Sequence, residues 1–237
     1  MMGGRWKINR NDLWLLPLLL LSLISCQSAT GMKKNHCACA VSKDITVSNM
    51  SIDTATKEIR YSLPQDGVVR IRAGINNGPL LVNIVDWQER KKGKHVEPWD
   101  WKDGWGGNDF NDRKDISFFI NALTSSTFHQ SPGVHFSFPG SKGKDKEGRE
   151  VIAGRAPIRV HIDDKDKGWL LEDKYEIVLF IDGVFLLKEE EGVDPFTYRL
   201  DTTNISNGPH LITVNVMAYH GEIGVRNEMV MIANEER

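Results

Sequence analysis

The chain is short of the cysteines that covalent frameworks are built on and lacks the motifs that mark common catalytic centres. Its three cysteines stand at positions 26, 37 and 39, so no disulfide network spans the 237-residue body. It holds no Gly-x-Ser-x-Gly elbow, His-Glu-x-x-His helix, phosphate-cradling glycine-rich loop or Cys-x-x-Cys-His haem motif. The usual signatures of hydrolase, metalloprotease, nucleotide and haem chemistry are therefore missing, and a non-catalytic role is the expectation. An excess of one charge is lacking too: 30 Lys and Arg face 32 Asp and Glu, a formal charge of -2. No bulk field recommends nucleic acid as a partner. Nor does a long amphipathic helical pattern follow the first forty residues, which leaves little room for an α/β enzyme fold. The one long apolar run, Leu13 to Ile24, is too short to span a bilayer comfortably.

That run is the centre of a targeting signal. Arg5, Lys7 and Arg10 precede it as a cationic segment. It ends in Leu23-Ile24-Ser25-Cys26, which resembles the bacterial lipobox. The resemblance implies a lipoprotein signal peptide over residues 1–25 and palmitate-type acylation of Cys26. Gln27 after the cysteine implies outer-membrane sorting. A short uncleaved anchor or a plain secretory signal is the alternative, and either still exports the chain. Several acyl chains on one residue anchor stably, at about 0.8 kcal/mol per buried methylene.

Residues 26–43 are small and polar without apolar periodicity, and read as a tether. With Cys26 lipidated, His36, Cys37 and Cys39 remain. Two thiolates and an imidazole suit a soft ion such as Cu(I) or Zn. The alternative is an oxidised or idle pair in the tether, although a Cys-x-Cys bridge closes a strained ring.

From Ile45 the pattern changes to short alternating runs rich in β-branched residues: Ile45–Val47, Ile59–Leu63, Val68–Ala73 and Leu80–Val85. Pro64-Gln65-Asp66-Gly67 is expected to close a hairpin, because proline presets φ and Asp-Gly tolerates positive φ. The stretch "IRYSLPQDGVVRIRAGINNGPLLVNIVDWQERKKGKHVEPWDWKDGWG" resembles the immunoglobulin-like domain of flagellar hook-capping proteins. Ile59, Tyr61, Leu63, Pro64, Gly67, Val69, Ile71, Trp99, Asp100, Asp103 and Gly106 fall on that pattern. The resemblance implies an immunoglobulin-like domain over residues 44–122, with Ile116–Ala122 as a late strand. It does not name a partner.

Residues 123–156, rich in Ser, Gly, Pro and Lys, read as a linker with one additional candidate strand at Val134–Phe138. Six alternating runs follow over residues 157–237: Ile158–Ile162, Tyr175–Ile181, Val184–Leu187, Phe196–Leu200, His210–Val216 and Glu228–Ile232. Such spacing is that of a sandwich. Asp182-Gly183 is expected to close a two-residue hairpin. Val178, Phe180, Asp182 and Gly183, followed by Asp201, Thr202, Gly208, His210, Leu211 and Val214, resemble bacterial immunoglobulin-like modules that brace larger assemblies. The expected fold is all-β: two Ig-like or fibronectin-III-like β-sandwiches after a lipoprotein signal peptide.

The strongest local anomaly is the group Trp87, Trp99, Trp101 and Trp105 among Asp100, Asp103, Asn108, Asp109 and Asp112. Exposed rings at Trp101 and Trp105 would stack on sugars or anchor a protein partner. Alternatively Trp99, with Trp87, fills the core, and the two others lie outside it. Asp100, Asp103 and Asp109 are candidate oxygen ligands for Ca²⁺, off the EF-hand spacing. The rival reading is a hydrated loop whose carboxylates make turn hydrogen bonds. "DDKDKG" at 163–168 reads as a charged hairpin tip. His129 and His135 are close enough in sequence to meet, and His210 belongs to a Gly-x-His turn.

The expected function is a non-catalytic, lipid-anchored cell-envelope protein, outer-membrane bound and facing the periplasm or the cell surface. It would act as a structural or protein-interaction module with an envelope protein as partner and no cofactor. The alternatives are carbohydrate binding through the Trp-rich loop 99–105, and periplasmic metal handling through His36, Cys37 and Cys39.

Overall fold

A computed structural model describes residues 44–103, 108–124 and 129–235. Six strands build the first sandwich: β1 Ser48–Asp53, β2 Glu58–Leu63, β3 Gly67–Ile75, β4 Leu80–Arg90, β5 Gly93–Pro98 and β6 Ile116–Leu123. They form two three-stranded sheets, ordered β1-β2-β5 and β4-β3-β6. Ile59, Tyr61 and Leu63 of β2 face Val69, Ile71 and Ala73 of β3, and all six are buried. Alternation with period two directs each set inward from its own sheet. The turn at Pro64–Gly67 therefore carries the chain from one sheet to the other and closes no hairpin, a correction that follows from these opposed faces. Gly67 is needed there: a β-carbon on it would stand 2.3 Å from Ile45 Cδ1 and 2.6 Å from Leu123 O. Ile45 lies beside β6, its N–H donating to Ala122 O at 2.7 Å.

The second sandwich holds β7 Val134–Ser137, β8 Val151–Ile152, β9 Arg155–Ile162, β10 Tyr175–Ile181, β11 Val184–Glu189, β12 Phe196–Asp201, β13 Gly208–Ala218 and β14 Ile223–Ile232. A five-stranded sheet, β11-β10-β13-β14-β8, packs on a three-stranded one, β12-β9-β7. Its core joins Ile158, Val160, Ile177, Leu179, Ile212, Val214, Val216 and Val230. The expected linker contributes β7, which pairs with β9, and β8, which pairs in parallel with β14. Both belong to the second sandwich. Asp182-Gly183 closes the β10–β11 hairpin as expected, with φ of 51° and 83°.

Residues 163–168 form no hairpin tip. They open a ten-residue helix, α1 Asp164–Asp173. Asp164 and Asp166 lie in its first turn, where carboxylates favour the helix dipole. Leu170 anchors it by burying fully in the second core. With Gly168 inside and few apolar positions, the segment has no helical stripe to read. Among the described residues two β-sandwiches are accompanied by one α-helix and a single 3-10 turn at Thr202–Asn204, an all-β fold, and these residues belong to one compact unit.

Candidate interaction surfaces

The tryptophan loop turns inward. Trp99 and Trp101 are both buried, with ring centroids 4.7 Å apart. Each meets Phe118 edge-on, at 5.5 and 5.8 Å. The Trp99 indole N–H donates to Lys102 O at 2.8 Å, and Phe110 N–H donates to Trp101 O at 2.8 Å. The loop thus plugs one end of the first core with two large rings. Trp101, expected on the outside, is 6% exposed and presents no ring to a sugar or a partner. Trp105 lies outside the described residues.

Asp100, Asp103 and Asp109 spend their oxygens on turns. Asp100 Oδ1 accepts from Lys102 N–H at 3.0 Å, Asp103 Oδ2 from Asn108 Nδ2 at 2.6 Å, and Asp109 Oδ1 from Asn111 N–H at 2.8 Å. Among the described residues no three His, Cys, Asp or Glu side chains converge as a metal cluster. Cys26, His36, Cys37 and Cys39 lie outside the described residues. His129 and His135 do not form a pair with each other. His129 stacks on Trp169 of α1 at 4.5 Å, while His135 Nε2 lies 2.5 Å from Asp163 Oδ1.

Side-chain hydrogen bonds tie the two sandwiches together at their junction. The outward face of β13 and β14 carries Leu211, Thr213, Asn215, Val225 and Asn227, all buried. Leu211 joins the core of the first sandwich, with Met229 packed against it. Asn215 Nδ2 donates to Leu80 O at 2.8 Å, and its Oδ1 accepts from Leu80 N–H at 2.9 Å. Asn227 Nδ2 donates to Leu81 O at 2.8 Å, and its Oδ1 accepts from Thr213 Oγ1 at 2.8 Å. From the other side, Asn83 Nδ2 donates to Ile223 O at 2.8 Å.

Two arginines of β3 extend this contact. Arg70 Nη1 and Arg72 Nη2 both donate to Gly221 O, at 2.8 and 3.0 Å. The Arg70 guanidinium also lies 4.2 Å from the centre of the Trp87 ring. Burial pushes the Arg70 guanidinium down to about 10. Arg72 falls to about 9, through burial and then the like charge of Arg70. Sequence reading passed over this junction. Its trace was there in Thr213 and Asn215, polar residues alternating with the buried apolar Ile212, Val214 and Val216 along β13.

Local locks hold each sandwich. Tyr61 Oη donates to Glu97 Oε1 at 2.9 Å, and Arg90 grips both Glu97 oxygens at 2.7 and 3.1 Å. Burial, then the bond to Glu97, raises the Tyr61 phenol well above its ordinary value. Burial alone would raise Glu97, but the bonds from Arg90 and Tyr61 outweigh it and hold the carboxyl low. In the second sandwich Asp182 Oδ1 accepts from Leu211 N–H at 2.9 Å, while its Oδ2 lies 2.6 Å from His210 Nδ1.

No protein-family model and no curated protein matches the chain. Among solved structures it is similar to the endo-β-1,4-mannanase from Thermotoga petrophila, at 15% identity and a TM-score of 0.33, covering 47% of this chain and 22% of that one. A putative membrane-anchored protein from Corynebacterium diphtheriae matches at 7% identity and a TM-score of 0.31, covering 81% and 54%. A tetra-tandem repeat from the extending region of a large adhesion protein matches at 12% identity and a TM-score of 0.30, covering 81% and 50%. The chain spans about half of the latter two and less of the first.

Proposed function

We propose that the chain is a non-catalytic, lipid-anchored cell-envelope protein whose two sandwiches act as one stiff interaction unit. The observation that carries this reading is the junction. Side-chain amides of Asn83, Asn215 and Asn227 satisfy backbone groups of the opposite sandwich. Burying those amides costs free energy unless each finds its partner in one geometry, so the contact favours a single relative arrangement. A freely swinging pair of modules has no use for such matching. The targeting segment ending at Cys26 supplies the anchor, and the tether to residue 43 supplies reach. The likeness of residues 59–106 to hook-capping immunoglobulin-like domains supports a structural role beside an assembly rather than a chemical one.

The test is affinity purification of the full chain from envelope membranes, with intact-mass analysis of its N-terminus. A lipid mass on Cys26 together with a stoichiometric envelope partner is the expected result. An unmodified, partner-free protein in the medium overturns the proposal.

A further inference from the structure

The outer face of the β12-β9-β7 sheet gathers three arginines that form no ion pair among the described residues. Along β9 the inward residues Ala156, Ile158, Val160 and Ile162 are buried, which leaves Arg155, Pro157, Arg159 and His161 on the other face. Register places Asp201 of β12 opposite Arg155, Arg199 opposite Pro157, Thr197 opposite Arg159 and His135 of β7 opposite His161. Arg155, Arg159 and Arg199 thus form a triangle on one face. Strand spacing and rise set its corners roughly 8 Å apart, with Arg155 and Arg159 roughly 13 Å apart along β9.

None of these three arginines forms an ion pair among the described residues, in contrast to the rest. Arg60, Arg90, Arg113, Arg149 and Arg226 each pair with a carboxylate, and Arg70 and Arg72 are spent on the junction. Asp201, opposite Arg155, turns one oxygen to Thr203 N–H and Oγ1, and Asp163 lies on His135, so Arg159 and Arg199 are the corners of the triangle farthest from an acid. Arg159 Nε is moreover shielded from solvent and unpartnered. On a chain of slight net negative charge, unpaired forks on one sheet face are a local exception.

We infer that this face binds an anionic polysaccharide. A guanidinium fork matches sulfate, phosphate or carboxylate groups bidentately, and a triangular array meets several such groups along an extended polymer. Nucleic acid fits less well, since the rings on this face are the imidazoles of His135, held by Asp163, and His161, held by Ser137, with no Phe, Tyr or Trp exposed beside them for bases to stack on. A bilayer also fits less well, because Phe136 and Tyr198 pack against the core and no apolar side chain stands out to insert. This partner class deepens the interaction-unit reading on which it rests.

The test uses the purified full chain in detergent, with immobilised heparin as probe and uncharged dextran as reference. The wild type is expected to bind heparin, with affinity falling as salt rises, and to ignore dextran. The double variant Arg159→Gln/Arg199→Gln is expected to bind on the order of tenfold more weakly or worse. Lys91→Gln/Lys92→Gln, which removes the same charge from the first sandwich, is expected to bind as the wild type does. Thermal melts establish that each variant folds, and Arg159→Lys/Arg199→Lys is expected to retain part of the binding.

Equal affinity for heparin and dextran overturns the inference, as does an equal loss in the lysine control. Tighter binding to phosphatidylglycerol vesicles or to a single-stranded oligonucleotide than to heparin also overturns it. The interaction-unit reading fails separately, on the lipid mass and the co-purifying partner, so a heparin result leaves that experiment free to decide.

Discussion

Asn215 and Leu80 exchange two hydrogen bonds across the junction, the side-chain amide of one pairing with both backbone groups of the other. A side chain on β13 thereby does for the start of β4 what a neighbouring strand does elsewhere in the sheet. The geometry uses both faces of the amide and leaves neither buried backbone group of Leu80 without a partner. Asn215→Ala orphans both Leu80 groups, and Asn227→Ala orphans Leu81 O and the Thr213 hydroxyl. Each is expected to cost about 1–3 kcal/mol, the range for unsatisfied buried polar groups. Denaturant unfolding checks the cost. Small-angle scattering of the double variant checks the geometry, with a broader distribution of inter-module distances expected and an unchanged profile counting against a stiff pair.

Trp101 offers a second test, because burial and exposure predict opposite outcomes. A buried ring wedged between Trp99 and Phe118 makes Trp101→Ala a core truncation, expected to destabilise by about 3–5 kcal/mol. Trp101→Phe keeps an aromatic against Phe118 and is expected to cost less. An exposed contact residue would leave the unfolding midpoint within experimental scatter on either change.

The Asp182 carboxylate joins the β10–β11 turn to β13, receiving Leu211 N–H on one oxygen and facing His210 with the other. Asp182→Ala removes both and leaves a backbone donor at the edge of the junction unpaired. A loss of about 1–3 kcal/mol is expected by denaturant unfolding. Asp182→Asn, which keeps an oxygen for Leu211 N–H, is expected to recover part of it. Indistinguishable alanine and asparagine variants would mean that the Leu211 bond contributes nothing.

How far these features were legible varies with the interaction that makes them. Alternating runs such as Tyr175–Ile181 and His210–Val216 announced their strands, since burial on one face imposes period two directly on sequence. Asp182-Gly183 announced its hairpin because positive φ at both central residues is met by few pairs. The Pro64–Gly67 turn misled for the complementary reason: local chemistry bends a chain but does not say whether the next strand pairs beside the last or crosses to the facing sheet. Strand β5, Gly-Lys-His-Val-Glu-Pro, has no buried side chain and so no apolar signal. The arginine triangle rests on register between β9 and β12, and pairing across forty residues leaves no spacing to read.

Stability should fall away at both ends of the pH scale through one cluster. Glu97 ionises more easily in the fold than in the unfolded chain, so its contribution is fully present above the ordinary carboxylate range and is lost as pH falls through its lowered value. Tyr61 ionises less easily in the fold, so its contribution is present below its ordinary value near 10 and is lost as pH rises above it. Unfolding midpoints measured across pH are therefore expected to show a Glu97→Gln variant with a flatter acid limb. Tyr61→Phe is expected to flatten the alkaline limb while leaving the acid limb governed by the Arg90–Glu97 pair, whose bonds at 2.7 and 3.1 Å survive that change. The sign is the decisive part: if Tyr61→Phe steepened the alkaline loss, the phenol would have to favour ionisation in the fold, which its burial against a carboxylate opposes.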